Sequence, residues 1–462
     1  MDAEKWCNEF QAKVYGDYIA KRMKSKLMYE QAQQFLPGGD TRTVTFYRPF
    51  PTFIERGQGC KIYDVDGHEY LDFVNNYTSL IHGHAPSTVV EAVTNQIKKG
   101  SVYGAPIEAQ HELGKIICER LPSAKKARFC NSGTEATAAA IRVARAYRKK
   151  HKILKMEGGY HGAQDTVQVS IRPPLDKVGP LNSPYSVPED WSIPPSVVGD
   201  CVIAPFNETE ITTALIEKHK DELAAVILEP VQGASGQIPP EPGFLETIRE
   251  VTLKHDILLI FDEVISFRLA VGGAQGMFGV VPDITSLGKI IGGGFPVGGI
   301  AGREDVMSLY SPLSGKHIVH SGTYNGNPVT MVAGIATLNA LTASEIDRIN
   351  KLGAAMRGSF EHVLREVGII GQVTGVGSLV QVHFTKEKIR GWRSAATGRV
   401  DIRSLLHLLL LDKGIFSATR CFYCVSTPMG EAEIEQAGAA LRSALLDLLP
   451  YIEIRAPELI LK

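Results

Sequence analysis

The chain has 462 residues, of which 44% are hydrophobic and 21% are charged, and its 49 basic residues nearly balance its 50 acidic ones. This length favours two or more substructures around a large core, and the balanced charge gives no field that would attract nucleic acid or an anionic membrane. Residues 1–34 lack the apolar centre of a secretion signal, and no stretch approaches the about 18 consecutive apolar residues of a membrane span. We therefore expect a cytoplasmic protein that binds neither nucleic acid nor membrane.

The first predicted element is an N-terminal helix. Its apolar residues recur at four-residue spacing from Trp6 to Val14, and the helix ends before Pro37. Residues 52–73 then show short apolar runs broken by glycines, which predict a β-meander with a turn at residues 64–67.

Residues 127–310 alternate apolar strand candidates with helical stretches. Nearly unbroken runs of β-branched residues or leucine are typical of strands buried on both faces. Such alternation predicts an α/β fold with a largely parallel sheet, helices on both sides and sites at the carboxyl ends of the strands. The clearest strand candidates are residues 152–156, 201–204, 224–228 and 257–261.

The C-terminal third returns to a mixed pattern without internal repeats. A long helix is predicted after about residue 327, followed by strands around residues 377–384 and 422–426 and an amphipathic helix from residue 431 to about 449. We expect the two ends of the chain to form one smaller domain around a large central one. The predicted division is residues 1–80 for the N-terminal helix and meander of the small domain, 81–330 for the large domain, and 331–462 for the C-terminal part of the small domain.

Cysteine and histidine spacings do not predict a metal site. Seven scattered cysteines, an odd number, favour reduced thiols over a disulfide framework. Cys421 and Cys424 have C-x-x-C spacing, but no second pair or histidine cluster accompanies them, so we interpret them as buried strand packing. His82 and His84 lack a third ligand, and we interpret their segment as a loop leading into a dimer interface.

A carboxylate and a lysine follow two apolar runs. Asp262 comes directly after residues 257–261, where a buried strand would reach the sheet edge, although a helix N-cap or a metal ligand fits the same pattern. Lys289 lies in an apolar stretch before the glycines at 292–294. Burial lowers the pKa of an amine, and glycines let backbone approach a ligand, which suits a reactive lysine better than an exposed loop lysine. A Walker-type phosphate loop is excluded because its lysine follows the glycines.

Residues 131–136 suit an anion. They lie between the predicted strand 127–130 and an Ala-rich helix, and they include Ser132 and Thr134. Free N–H groups at a helix N-terminus, with hydroxyls beside them, can bind a phosphate. Simple capping of the helix by these hydroxyls is the alternative.

Tyr160 lies among the glycines of residues 158–162, at the end of the predicted strand 152–156. Glycines around an aromatic residue leave room for its ring to lie flat on a planar ligand. A core tyrosine is the alternative.

Together the four motifs resemble the class III aminotransferases, a fold-type I family that depends on pyridoxal 5′-phosphate (PLP) and includes glutamate-1-semialdehyde aminomutase. The resemblance runs from the meander at residues 53–73 to the motif at residues 322–328. It implies a large domain with a mainly parallel seven-stranded sheet flanked by helices, a smaller α+β domain, and a homodimer with a shared active site. A PLP enzyme must bind the phosphate, supply a lysine, pair with the ring nitrogen and stack a side chain on the ring, and each of the four motifs offers one of these groups.

By this resemblance, Lys289 joins PLP as a Schiff base and, once released, moves the proton between substrate and cofactor. The resemblance also implies that Ser132, Gly133 and Thr134 bind the phosphate, together with Thr323 of the partner subunit. Tyr160 and Val264 would pack on opposite faces of the ring, and Asp262 would pair with the ring nitrogen. Glu229 would border the cofactor.

Two arginines are candidates for binding substrate carboxylates. Residues 38–51, which contain Arg42, resemble β-amino-acid aminotransferases of the β-phenylalanine type, in which this arginine takes the donor carboxylate. Arg420 would take the distal carboxylate of 2-oxoglutarate, and Tyr77 would form part of the pocket wall. Surface arginines are the alternative. We therefore expect ping-pong transfer from a β-amino acid, such as an aromatic one of the β-phenylalanine type, to a keto acid such as 2-oxoglutarate or pyruvate.

Glutamate-1-semialdehyde 2,1-aminomutase is the alternative function, because residues 272–276 and the segment around Lys289 also resemble it. Three departures from the mutase sequence favour transamination to a separate amino acceptor. The segment after Gly162 lacks the mutase's Gly/Ser-rich gating loop, residues 232–236 differ from the mutase sequence, and the mutase has no arginine at the position of Arg420. Other class III transaminases, and the decarboxylases, racemases and epimerases of this fold type, use the same cofactor core. Ile265 stands where ω-aminotransferases often carry glutamine, so we do not assume a hydrogen bond from this position to the cofactor.

Overall fold

The computed structural model describes residues 3–461. Its strands, in chain order, are β1 (Ile54–Gln58), β2 (Lys61–Asp64), β3 (Glu69–Asp72), β4 (Lys126–Cys130), β5 (Lys152–Met156), β6 (Cys201–Ala204), β7 (Leu223–Leu228), β8 (Leu258–Asp262), β9 (Ile284–Gly288), β10 (Gly298–Gly302), β11 (Gln372–Thr374), β12 (Leu379–His383), β13 (Ile415–Phe416) and β14 (Phe422–Cys424).

The helices, some only one turn long, are α1 (Ala3–Lys21), α2 (Met23–Ala32), α3 (Asn75–Thr78), α4 (Ser87–Ile97), α5 (Glu108–Arg120), α6 (Gly133–Arg148), α7 (Pro195–Gly199), α8 (Thr209–His219), α9 (Gly233–Gly236), α10 (Phe244–Lys254), α11 (Gly273–Phe278), α12 (Glu304–Met307), α13 (Pro328–Ala340), α14 (Ala343–Val367), α15 (Trp392–Ala395), α16 (Val400–Asp412) and α17 (Glu431–Arg455).

The large sheet has the strand order β4-β10-β9-β8-β7-β5-β6. Neighbouring strands from β9 to β6 in this order are parallel, whereas β10 is antiparallel to both β4 and β9. Every residue of β7 and β8 is buried, which explains the unbroken apolar runs. The predicted mainly parallel seven-stranded sheet is confirmed.

Alternate residues of the central strands pack into two separate cores, one on each face of the sheet. Ile227 and Ile260 belong to a core that includes the Ala-rich face of α6. Val226 and Leu259 belong to another, which includes apolar residues of α8 and α10. Because successive side chains of a strand point to opposite faces, this division places helices on both sides of the sheet.

The two ends of the chain meet in a second sheet, ordered β1-β2-β3-β13, in which β13 runs parallel to β3. A third sheet, β11-β12-β14, is antiparallel, and α14 packs on α17. The sheet shared by both chain ends supports the division at residues 80 and 330, which stays a proposal.

Helix boundaries differ from the prediction at three places. The predicted N-terminal helix is two helices, α1 and α2, because the backbone of Arg22 is not helical. The predicted long helix after residue 327 is two helices, because Thr342 accepts a hydrogen bond from the Glu345 N–H and starts α14 anew. The last helix continues past residue 449 and through Pro450, a residue that usually interrupts helices, and the following Tyr451 and Ile452 are buried. Tertiary packing therefore outweighs the local signal there.

Within residues 3–461, no single helix is long and apolar enough to cross a membrane, although α13 and α14 together, bent by 76° at their break, meet the length and composition test.

Candidate active site

A cavity of about 390 Å³ opens where β5, β7, β8 and β9 end. Its volume lies in the range of about 300–1,000 Å³ that is common for small-molecule sites. Residues from distant parts of the sequence meet here, because the carboxyl ends of parallel strands share one edge of a sheet. The predicted site residues that line the cavity are Gly133, Thr134, Tyr160, Glu229, Asp262, Val264 and Lys289.

Lys289 begins the turn after β9, in a left-handed backbone conformation with a φ of 51°. Its Nζ forms no hydrogen bond or ion pair with any residue from 3 to 461. Burial, and next the nearby Arg420, lower the pKa of Lys289 to about 8. A substantial fraction of the amine is therefore neutral near pH 8, as a nucleophile or base requires.

Asp262 is held by His161, which was not among the predicted site residues. His161 Nδ1 lies 2.9 Å from Asp262 Oδ2, and the Val264 N–H donates to Asp262 Oδ1. Burial lowers the pKa of His161, against the opposing effect of Asp262, which favours a neutral ring donating from Nδ1. The buried Nε2 has no partner within the described chain. The one sequence signal for His161 is its place beside Tyr160 at the end of β5.

Glu229 joins two loops of the site. Its carboxylate accepts hydrogen bonds from the N–H groups of Tyr160 and Gly233, each at 3.1 Å. Burial, and next the nearby Asp262, raise the pKa of Glu229 to about 8, while the two N–H groups act in the opposite direction. The sequence did not specify the contacts of Glu229, and the structure shows that this residue links the Tyr160 backbone to the start of α9.

The residues predicted to bind phosphate, at the start of α6, have two different roles in the structure. Ser132 caps the helix, since its Oγ accepts from the Glu135 N–H at 3.1 Å, whereas Gly133 and Thr134 line the cavity. A Cβ on Gly133 would lie 3.2 Å from the Val264 methyl groups, and a Cβ on Gly162 would lie 2.6 Å from Thr134 Cα. Glycine at these positions therefore permits the close packing of α6 against Val264 and of residue 162 against Thr134 in the cavity wall.

Arg42 and Arg420 both lie near the ring of Tyr77. The guanidinium carbons are 5.4 Å and 5.8 Å from the ring centroid, respectively. Neither arginine forms an ion pair with a carboxylate in the described chain, and Arg420 Nε is buried without a partner. Burial raises the pKa of Tyr77, while Arg420, Arg42 and Arg172 act in the opposite direction. Arg172 is thus a third nearby cation, which the sequence analysis did not identify.

Thr323 is exposed and is not among the residues lining the Lys289 cavity. Its segment borders a second cavity, of about 760 Å³, and is linked to the phosphate motif by a hydrogen bond of 2.8 Å from Asn131 Nδ2 to Asn325 Oδ1. Its predicted role across a dimer interface stays a prediction.

The other motifs occupy separate surroundings. His82 contacts Thr427 Oγ1 and the Thr337 carbonyl, whereas His84 contacts Asp72. No group of three or more potential metal ligands occurs in residues 3–461. All seven cysteines are free thiols, and Cys421 and Cys424 are buried.

Comparisons with known proteins agree on the family. The model of the class III aminotransferases matches residues 45–417. A glutamate-1-semialdehyde 2,1-aminomutase from Methanosphaera stadtmanae is 39% identical over 428 residues, which cover 92% of this chain and 99% of that protein. Other curated relatives, at 38–41% identity, carry the same name.

Solved structures have the same fold. An ω-transaminase from Sphaerobacter thermophilus is 44% identical, with a TM-score of 0.89 over 92% of this chain and 97% of that one. A β-phenylalanine aminotransferase from Variovorax paradoxus is 34% identical, with a TM-score of 0.86 over 96% and 98%. The chain therefore belongs to the class III aminotransferases.

Proposed function

We propose that this chain transfers amino groups on substrates that carry a carboxylate. It is a PLP-dependent enzyme, since its family depends on this cofactor and a transaminase 37% identical to it was solved with PLP bound. The observation that carries the proposal is the free amine of Lys289 in one cavity with Asp262, beside a cluster of arginines.

The residues at the cavity fit PLP. The amine of Lys289 has no partner in the described chain, His161 orients the Asp262 carboxylate, whose side chain is only 4% exposed, and Thr134 lines the same cavity at the start of α6. When bound, PLP supplies an electron sink for the carbanion that forms next to the substrate nitrogen.

Residues of the chain bind the cofactor, orient it and transfer the proton. Lys289 holds the cofactor through its aldehyde and, as a neutral amine, moves a proton at the substrate carbon. The Asp262 carboxylate, oriented by His161, keeps the ring nitrogen protonated. Thr134 and the first N–H groups of α6 bind the phosphate, and Glu229 fixes the loop that carries Tyr160. We also propose a homodimer in which Thr323 of the partner subunit completes the phosphate site.

The lowered pKa of Lys289 predicts how PLP capture depends on pH. Only the neutral amine attacks an aldehyde, so the capture rate should rise with pH and level off above about 8, whereas an ordinary lysine, with a pKa of ~10.4, would level off much higher. Arg420→Met should shift the midpoint upward, because Arg420 disfavours the charged lysine. Mixing cofactor-free protein with PLP across this pH range and following the visible absorbance measures the rate. An unchanged midpoint in Arg420→Met would contradict the assigned electrostatic coupling.

Two finer functions are proposed within this activity. The names of the curated relatives support glutamate-1-semialdehyde 2,1-aminomutase chemistry better than the β-amino-acid donor expected from the sequence. Transamination from a β-amino acid to a keto acid is the second candidate. Arg42 and Arg420, which form no ion pair with a carboxylate of the described chain, favour it, as do the solved ω-transaminase and β-phenylalanine aminotransferase.

Product stoichiometry separates the two candidates. An aminomutase converts glutamate-1-semialdehyde into 5-amino-4-oxopentanoate without any added keto acid. A transaminase instead converts its PLP to pyridoxamine phosphate with β-phenylalanine and recovers PLP when 2-oxoglutarate is added. In that case Arg420→Ala should weaken the use of 2-oxoglutarate, seen as a higher KM, far more than the use of pyruvate, which lacks the distal carboxylate. Failure of the PLP form to react with any carboxylated amine would contradict the proposed function.

A further inference from the structure

Four consecutive residues beside the cavity have a left-handed backbone. The φ angles of α3 are 46° at Asn75, 47° at Asn76, 53° at Tyr77 and 76° at Thr78. Residues other than glycine adopt this conformation rarely and normally singly, and tyrosine and threonine tolerate it less well than asparagine. Backbone strain of this kind persists only where surrounding contacts impose it, and it concentrates at ligand sites.

Buried contacts impose the conformation here. Asp72 Oδ1 accepts hydrogen bonds from the N–H groups of Val74 and Asn75, at 2.8 Å and 2.9 Å. The Asn75 side chain donates to the Cys424 carbonyl at 3.0 Å, and both Asn75 and Thr78 are buried. The first residue of the turn is therefore fixed to β3 and β14, and its last residue, Thr78, is packed in the interior.

The two middle residues of the turn, Asn76 and Tyr77, contact Arg42. Arg42 Nη1 donates to Asn76 Oδ1 at 2.7 Å, and Asn76 Nδ2 donates to Ser79 Oγ at 3.0 Å. Tyr77 lies under the same guanidinium, and its hydroxyl donates to the Val44 carbonyl, two residues beyond Arg42. Because Asn76 and Ser79 both line the Lys289 cavity, the turn connects Arg42 to the place where the reaction occurs.

We propose that Asn76 is a positioning residue that holds the Arg42 guanidinium at the Lys289 cavity for a substrate carboxylate. This inference rests on the proposed function and adds a determinant of specificity for acids. An amide oxygen suits the task, because it orients a guanidinium without neutralising it and leaves the other N–H donors for the ligand. A carboxylate at position 76 would instead compete with the substrate.

An unreactive acid and two substitutions test the inference. The probe is 3-phenylpropanoate, titrated into the PLP-loaded protein while the absorbance of bound PLP is recorded. Asn76→Asp keeps a residue that tolerates the left-handed backbone but pairs with Arg42, and it should raise the Kd of the acid at least about tenfold. Asn76→Gly keeps the backbone and removes the amide, and it should raise the Kd only about two- to fivefold.

Three controls make the result specific. Asn95→Asp, the same change on the exposed face of α4, should leave the Kd unchanged. The neutral 3-phenylpropanamide should bind the wild type and Asn76→Asp equally. Once Arg42 is replaced by methionine, adding Asn76→Asp should have no further effect on acid binding, because the two residues act together.

Equal effects of Asn76→Asp and Asn76→Gly would assign Asn76 a merely structural role and overturn the inference. So would a wild-type protein that captures PLP but does not bind the acid, an outcome that leaves the cofactor chemistry of Lys289 intact. A wild-type protein that fails to capture PLP would contradict the proposed function itself, and the inference would fall with it.

Discussion

Lys289→Ala is expected to lower the rate of the amino-transfer half-reaction at least about a hundredfold, the usual minimum contribution of a positioned acid or base. The amine lies in the cavity without a partner in the described chain, and its pKa of about 8 lets it accept a proton near neutral pH. Alanine removes both the attachment to the cofactor and the base. Single-turnover mixing of the PLP-loaded protein with an amino donor measures this rate directly, apart from the release of product.

Lys386→Ala is the matched control, because Lys386 is exposed and lies outside the cavity. It should keep the wild-type rate. A Lys289→Ala protein that binds PLP and still transfers amino groups within tenfold of the wild type would contradict the assigned role.

Asp262→Asn is expected to have the next largest effect. The carboxylate is nearly buried and is paired with His161 at 2.9 Å. An amide has almost the same shape but carries no charge to keep a ring nitrogen protonated. A hydrogen bond to a charged group contributes about 1.5–3 kcal/mol, so we expect kcat to fall about 10- to 150-fold.

The thermal unfolding of Asp262→Asn, measured beside its kcat, separates a catalytic effect from a loss of stability. Asp221→Asn, a like change on the surface, should alter neither quantity. A kcat equal to that of the wild type, in a folded Asp262→Asn protein loaded with PLP, would remove Asp262 from the cofactor site.

The main features of this fold follow from local patterns. Strands β5 and β6 have the predicted bounds, because nearly unbroken apolar runs are typical of parallel strands that are covered by helices on both faces. Asp262 and Lys289 each follow an apolar run in the sequence. Parallel strands bring their carboxyl ends to one edge, so a one-dimensional pattern is sufficient to assemble this part of the site.

Other features depend on packing that no local pattern reports. His161 and Asp262 are 101 residues apart, and their contact follows only from the order of β5, β7 and β8. The left-handed turn at Asn75–Thr78 is imposed by Asp72 and Cys424, since its own residues do not favour it. The carbon skeleton of the substrate likewise cannot be predicted from the sequence pattern. Two arginines indicate that substrates carry carboxylates, but they do not define the rest of the substrate.

The identity of the lysine that holds PLP is the central claim, and the protein contains a second buried candidate. Lys155 is fully buried, and its pKa is also lowered by burial to about 8. Its Nζ, however, donates to the Val169 carbonyl at 2.7 Å, and it is not among the residues lining the cavity. A lowered pKa alone therefore does not distinguish the two lysines, whereas their positions do.

Borohydride reduction of the PLP-loaded protein, followed by proteolysis and mass spectrometry of the peptides, identifies this lysine directly. We expect one labelled peptide, with the reduced cofactor on Lys289. A label on Lys155, or no covalent label on a protein that has bound PLP, would contradict the assignment.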